Sequence, residues 1–282
     1  MNSLKRFIDF ILFGNIYVAL GTICLVQSTV IQLKLADHLL SYSMLVFFAA
    51  VFVYNFQRIF YKPTLDSSLI SIRRKWIFNH QTSVKLLTIA GCTGVAVTFF
   101  FNNYKILLYL SPLLILSLLY FLPFVKLRRT PWLKLLTLVL VWTMVTSVVP
   151  LLLGGAELFT LKSFLHIILR FCFLTAICIP FDIRDIHIDK ADLVTTVPQL
   201  IGENKARQLA MGFMFLYIIL IIPEYLFGMV NLKIFIALII SAVINAVLVL
   251  MSSSNRSEYF YVAVIDGTMI LQGLMLLLVY YL

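Results

Sequence analysis

The sequence predicts an all-α polytopic membrane protein. Nine transmembrane helices form one bundle, two four-helix halves followed by a ninth helix, with the amino terminus in the cytoplasm. Three observations carry that prediction. Of 282 residues, 62% are hydrophobic and 12% charged, with a mean hydropathy of +1.03; a soluble domain is nearer half apolar and a quarter charged. Six charge-free runs, 10–33, 38–57, 86–104, 106–125, 135–156 and 234–255, meet or approach the roughly 20 residues a helix needs to cross a hydrocarbon core. Cations, finally, collect in alternate loops, as topology signals do.

Taken in order, the first span (8–33) follows Lys5 and Arg6, as a signal peptide would. Its charge-free run of 24 residues exceeds a signal-peptide core and ends on no small-x-small cleavage site, so it reads as a retained helix. Spans at 39–61, 84–104, 105–125, 133–154 and 232–252 rest on the other charge-free runs. Those at 162–181, 207–229 and 259–281 rest on runs that each hold one charge, Arg170, Glu224 and Asp266. Open sheet is excluded in lipid because unpaired backbone amides cost several kcal/mol each. A β-barrel would alternate over segments of about ten residues, and these runs are twice that long and apolar on all sides. The whole chain, 1–282, is expected to be a single integral-membrane domain.

Net charge is +10. Seventeen of the 22 Lys and Arg residues fall at the amino terminus and in the loops after helices 2, 4, 6 and 8. Only Lys34, Lys105, Lys162 and Lys233 fall on the other side. The positive-inside rule therefore places the amino terminus and the even-numbered loops in the cytoplasm, for a protein of the cell's inner (plasma) membrane. No nucleic-acid partner is expected from cations so placed. Cys24, Cys92, Cys172 and Cys178 lie in apolar runs with no metal-site spacing and behave as small hydrophobes.

The loops near 62–82 and 182–206 are each over twenty residues long, and long loops carry function. The second begins with Asp182-Ile183-Arg184-Asp185-Ile186-His187-Ile188-Asp189-Lys190-Ala191-Asp192. Its acids are spaced 3, 4 and 3, which stacks Asp182, Asp185, Asp189 and Asp192 on one helical face. The pattern admits two readings. Hard oxygen ligands at the end of a span suit Mg²⁺ bridging carboxylates to substrate phosphates. Equally, the segment is a solvated acidic helix end balanced by Arg184 and Lys190.

The segment Asp182–Pro198 resembles the second aspartate-rich motif of the UbiA superfamily of intramembrane prenyltransferases, and Ile201-Gly202-Glu203-Asn204-Lys205-Ala206 is similar to the stretch just beyond that motif in the family. Tyr120-Phe121-Leu122-Pro123-Phe124-Val125-Lys126-Leu127-Arg128-Arg129 resembles the family's loop after helix 4. The family's first motif, Asn-Asp-x-x-Asp-x-x-x-Asp, falls on Asn55 to Pro63, where Asn55 matches and the aspartates are replaced by Phe56, Ile59 and Pro63. The resemblance implies an isoprenyl diphosphate held through Mg²⁺ by Asp182, Asp185 and Asp189, with Asn55 assisting. It implies that Lys126, Arg128 and Arg184 take the charge of the leaving group and that Tyr120 positions diphosphate or acceptor. The acceptor would be an aromatic or other lipophilic nucleophile arriving from the bilayer.

Further charges need partners. Arg58 and Lys62 stand one turn apart where the family has acids; they either neutralise diphosphate directly or are ordinary flanking cations. Arg170 and Glu224 lie at similar depth from the outer side and are expected to pair, since an ionised group in a span needs a partner. Asp266 lies at the level of Asn55; it either faces the same cavity or hydrogen-bonds to Asn245, Gln272 or a backbone group. The first functional reading is thus an intramembrane prenyltransferase. The alternative is a catalytically degenerate relative that binds isoprenoid or lipid or supports another enzyme. A transporter is the third, without the broken span pair that marks a midplane site.

Overall fold

The computed structural model describes residues 3–35, 39–59, 71–102, 104–121, 130–192 and 194–282. All regular structure among them is helical. Eight helices are long and apolar enough to cross a membrane: Ile16–Leu33, Leu40–Ile59, Gln81–Phe99, Pro131–Leu153, Leu161–Arg184, Glu203–Leu226, Leu232–Leu250 and Phe260–Tyr281. A shorter apolar helix, Lys105–Phe121, stands where the fourth span was expected. The chain is a helical integral membrane protein.

The first expected span is broken. Helix α1 (Ser3–Phe13) ends before Gly14 and Asn15, and α2 (Ile16–Leu33) begins after them. Asn15 sits in the left-handed region at φ 61°, which a short polar side chain tolerates. The break lets α1 turn aside from the bundle. Leu4, Phe7 and Ile8 are exposed, while its other face meets the helix that follows α3 (Leu40–Ile59). That helix, α4 (Ile72–Asn79), starts at Ser71, whose hydroxyl accepts the Arg74 amide at 3.2 Å. Phe13 packs on Trp76 and Tyr259, and the Tyr259 hydroxyl donates to Asp9 Oδ1 at 2.6 Å.

The spans then follow as α5 (Gln81–Phe99), α6 (Lys105–Phe121) and α7 (Pro131–Thr143), the last continuing through a π turn (Met144–Val148) into α8 (Val149–Leu153). The π turn receives two hydroxyls on its backbone: Tyr42 donates to the Val145 carbonyl at 2.6 Å and Thr29 to that of Thr146 at 2.7 Å. Helix α9 (Leu161–Arg184) starts at Thr160, whose hydroxyl accepts the Ser163 amide. It stops at Asp185, and α10 (Ile186–Ala191) restarts at once. The four acids therefore do not share one continuous helical face: Asp185 occupies the break and Asp192 closes α10. Helix α11 (Val197–Ile201), Gly202 at φ 85°, α12 (Glu203–Leu226) and α13 (Leu232–Leu250) follow. A second π turn (Phe260–Ile265) leads into α14 (Gly267–Tyr281).

Helices α9 and α2 are central, with 67% and 61% of their spans buried; α5 is peripheral at 17%. The main core joins α9 to α12, α13 and α14, and a second core joins α2, α3, α6 and the α7–α8 span. Arg170 is buried at the first of these cores. It does not pair with Glu224. Its guanidinium donates to Gln272 Oε1 and the Leu25 carbonyl, both at 3.1 Å, and to the hydroxyls of Ser28 and Thr29. Several oriented neutral oxygens thus solvate the cation, and Glu224 Oε2 is left buried with no hydrogen-bond partner among the described residues.

Candidate functional site

The ends of α3, α9 and α10, the starts of α4 and α7, and the second π turn enclose a cavity of about 830 Å³. Asp182, Asp185, Asp189, Arg184, Arg58 and Tyr120 line it, six residues that the sequence singled out. Lys62, Lys126 and Arg128 lie outside the described residues. Asn55 is fully buried behind the wall that its neighbours Tyr54 and Phe56 present. Its amide donates to the carbonyls of Gly14 and Val51, both at 2.9 Å, and its oxygen accepts Asn15 Nδ2 at 3.2 Å. Asn15 itself reaches the cavity. Asp266 lines the cavity too and bonds to neither of its expected side-chain partners: Gln272 is engaged by Arg170 and the Tyr217 hydroxyl, and the Asn245 amide donates to the Ser241 carbonyl. The π turn that places Asp266 there leaves its backbone N–H on the Tyr261 carbonyl, five residues back. Such turns often occur at functional sites.

Lys134 was not singled out as a site residue, and it stands at the centre of the acids. Its ammonium lies 2.8 Å from Asp182 Oδ1 and 2.6 Å from Asp189 Oδ2. Helices α7 and α9 pack as neighbours, so a lysine in the first turn of one meets an aspartate in the last turn of the other. The available signal was its position, the last cation before the charge-free run 135–156. Arg184 grips Asp185 with two parallel bonds, Nε to Oδ1 at 2.8 Å and Nη2 to Oδ2 at 2.7 Å, and reaches Glu258 at 3.2 Å. Arg73 meets the same Glu258 oxygen at 3.3 Å, and Arg74 holds Asp192 at 2.9 Å. Burial alone would raise the pKa of Asp185, but the Arg184 guanidinium overrides it and holds the carboxyl well below the usual carboxylate range. Burial lowers the pKa of Arg73.

Every acid of the motif thus has a protein cation against it. Among the described residues no three His, Cys, Asp or Glu side chains stand together as a metal site. The trio expected to hold Mg²⁺ is divided between Lys134 and Arg184, and in this arrangement the carboxylates do not fit the ion.

Toward the membrane interior the cavity becomes apolar. It shares Tyr54, Gln57, Tyr120, Leu138 and Trp142 with a crevice of about 170 Å³ between α3, α6 and α7. At the junction Trp142 Nε1 donates to the Tyr54 hydroxyl at 3.1 Å. Deeper walls include Val46, Ala49, Ala50, Leu110, Leu113 and Val141. A charged mouth opening into an apolar slot suits an amphiphile with an anionic head and a hydrocarbon tail.

No family model matches the sequence, and no curated protein does. Solved structures do match. A UbiA homolog from Archaeoglobus fulgidus, bound to GPP and Mg²⁺, superposes with a TM-score of 0.62 at 15% identity, over 96% of this chain and 100% of that one. The chain has the fold of the UbiA homologs. The apo UbiA homolog from Aeropyrum pernix K1 gives a TM-score of 0.65 at 14% identity, over 94% of this chain and 97% of that one. Digeranylgeranylglyceryl phosphate synthase gives 0.53 at 17% identity, over 99% and 98%. The UbiA fold, expected from the motif at Asp182 and the loop after Tyr120, is thus present across nearly the whole chain.

Proposed function

We propose that this chain is an intramembrane prenyltransferase of the UbiA type, moving an isoprenyl group from an isoprenyl diphosphate to a lipophilic, aromatic acceptor. The observation that carries the reading is the continuity between the charged cavity and the apolar crevice through Tyr54, Gln57, Tyr120, Leu138 and Trp142. The diphosphate lies at the mouth and the tail runs between α3, α6 and α7. Solved structures of the same fold support it, one bound to GPP and another to DMAPP, each with Mg²⁺. The chain forms a single domain of nine spans in the inner membrane, with the amino terminus and the cavity mouth on the cytoplasmic side, in line with the loop charges.

Transfer breaks the bond between the allylic carbon and the diphosphate oxygen, and the electron pair leaves with the diphosphate. Arg58 and Arg184, cations of the cavity lining, stabilise that charge as it develops. The same role is proposed for Lys62, Lys126 and Arg128, outside the described residues, on the sequence alone. Tyr120, where cavity and crevice meet, positions the first carbons of the chain. The acceptor forms the new bond to the allylic carbon, and its proton passes to Asp266. Asn55 acts through Asn15, which it holds at the cavity wall.

A second reading, a non-catalytic isoprenoid-binding protein, is favoured by one feature: Phe56, Ile59 and Pro63 stand where the first motif has its aspartates. Both readings require binding, and only the first requires release of diphosphate. Farnesyl thiodiphosphate should bind the detergent-purified protein, and Ala50→Trp, which fills the crevice, should weaken it about tenfold or more while leaving inorganic diphosphate binding unchanged. Equal losses for both ligands, or none for either, would remove the tail from the crevice. Release of diphosphate from farnesyl diphosphate in the presence of membrane lipid extract then separates enzyme from binding protein.

A further inference from the structure

We infer that this chain takes the diphosphate of its isoprenoid on protein cations rather than on a divalent metal, an inference that rests on the isoprenyl-diphosphate reading above. The cavity mouth has two unlike walls. The wall built by α3 and α4 presents Arg58, Arg73 and Arg74 and no acid among its described lining residues. The opposite wall, from α7, α9 and α10, presents the carboxylates, already occupied by Lys134 and Arg184 at 2.6–2.8 Å.

A divalent ion entering between Asp182 and Asp189 meets the Lys134 ammonium on the line it needs. To bind there it must displace a lysine whose side chain is 12% exposed and whose two partners are 11% and 4% exposed. Like charges then face each other where little water screens them. Mg²⁺ also demands near-ideal octahedral oxygen geometry and gives up water reluctantly, whereas Asp185, the third candidate ligand, has both oxygens on the Arg184 fork.

The arginine wall offers what the carboxylate wall does not. A guanidinium presents five N–H donors in a planar fork that matches phosphate oxygens two at a time. Arg73 and Arg74 have side chains only 15% and 9% exposed, and a partly buried cation is screened far less than a surface one. Their present partners, Glu258 and Asp192, are carboxylates on the protein. Each meets its arginine through one nitrogen, Arg73 Nε and Arg74 Nη2, so a diphosphate oxygen can share a five-donor guanidinium with its carboxylate rather than displace it, while Lys134 and Arg184 keep the facing acids neutralised. The carboxylate wall then serves to hold Lys134 and Arg184 in register.

The test is equilibrium binding of farnesyl thiodiphosphate to the full-length protein in detergent, in excess EDTA and again in millimolar Mg²⁺. The inference predicts affinities within about threefold of each other, and a loss of about tenfold or more in Arg58→Gln under both conditions. Electron paramagnetic resonance of added Mn²⁺ should show no ion held by the unliganded wild type and a newly held ion in Lys134→Gln. Binding that appears only with Mg²⁺, or Mn²⁺ held by the unliganded wild type, overturns the inference and leaves the prenyltransferase reading standing. No binding in either buffer overturns that reading, and this inference with it. The wild-type comparison requires no variant to fold.

Discussion

Asn55 and Arg170 show what single residues settle. Asn55 reads in sequence as the remnant of a ligand motif; in the structure its amide ties the α1–α2 break to α3 through Gly14 and Asn15. Asn55→Ala leaves the Asn15 amide and the Gly14 carbonyl buried without that partner. The expected destabilisation is about 2–3 kcal/mol, since each unsatisfied buried polar group costs about 1–3 kcal/mol. Thermal unfolding in detergent checks it, and an unchanged midpoint would show that the amide is not what holds the break. Arg170 makes the complementary point. Its need for partners was legible, because a charge at that depth is costly. Their identity was not. A search among charges finds Glu224, while the structure uses Gln272, Ser28, Thr29 and a backbone carbonyl, neutral groups that carry no mark in a charge pattern. Lys134 was hidden for a related reason: as a helix-flanking cation it looks like a topology signal until its neighbour across the interface is known.

At the scale of elements, the spans were legible and their interruptions were not. Length and apolarity mark where long helices stand, because the bilayer imposes both, although the first expected span, 8–33, gives a long helix only from Ile16. The break at Gly14–Asn15, the stop at Asp185 and the two π turns follow from tertiary packing. Each of the last three places a polar group: Asp185 toward Arg184, the Val145 and Thr146 carbonyls toward Tyr42 and Thr29, and Asp266 into the cavity. Close helix contact depends on small residues in the same way. At Gly273 on α14 an added Cβ would stand 2.5 Å from Cys24 Cβ and 2.6 Å from the Cys24 carbonyl oxygen on α2. Nothing flexible is there to move aside. Gly273→Val must therefore separate α2 from α14, and overpacking of this kind costs about 1–3 kcal/mol or more. A lower midpoint of thermal unfolding and weaker farnesyl thiodiphosphate binding are expected together, because α2 and α14 both contribute to the cavity wall. A variant as stable as the wild type would mean that the two helices are not held in contact there.

For the whole molecule, different helices bring different chemistry to one mouth: arginines from α3 and α4, paired acids from α9 and α10. The sequence located the acids through a motif and the fold through resemblance, and structures of 14–17% identity superpose over 94% or more of the chain. It did not reveal that the acids are neutralised from α7 and α9, since that depends on which helices are neighbours. The central claim is that an isoprenyl diphosphate lies with its head among these charges and its tail between α3, α6 and α7. Photo-crosslinking with an isoprenyl diphosphate that carries a benzophenone at its tail tests it most directly, with labelled residues mapped by mass spectrometry. The account predicts label on crevice residues such as Ala50, Leu113 and Val141, suppressed by excess farnesyl thiodiphosphate. Label confined to exposed outer faces, such as Ile89 on α5 or Phe215 on α12, or insensitive to that competitor, would contradict it.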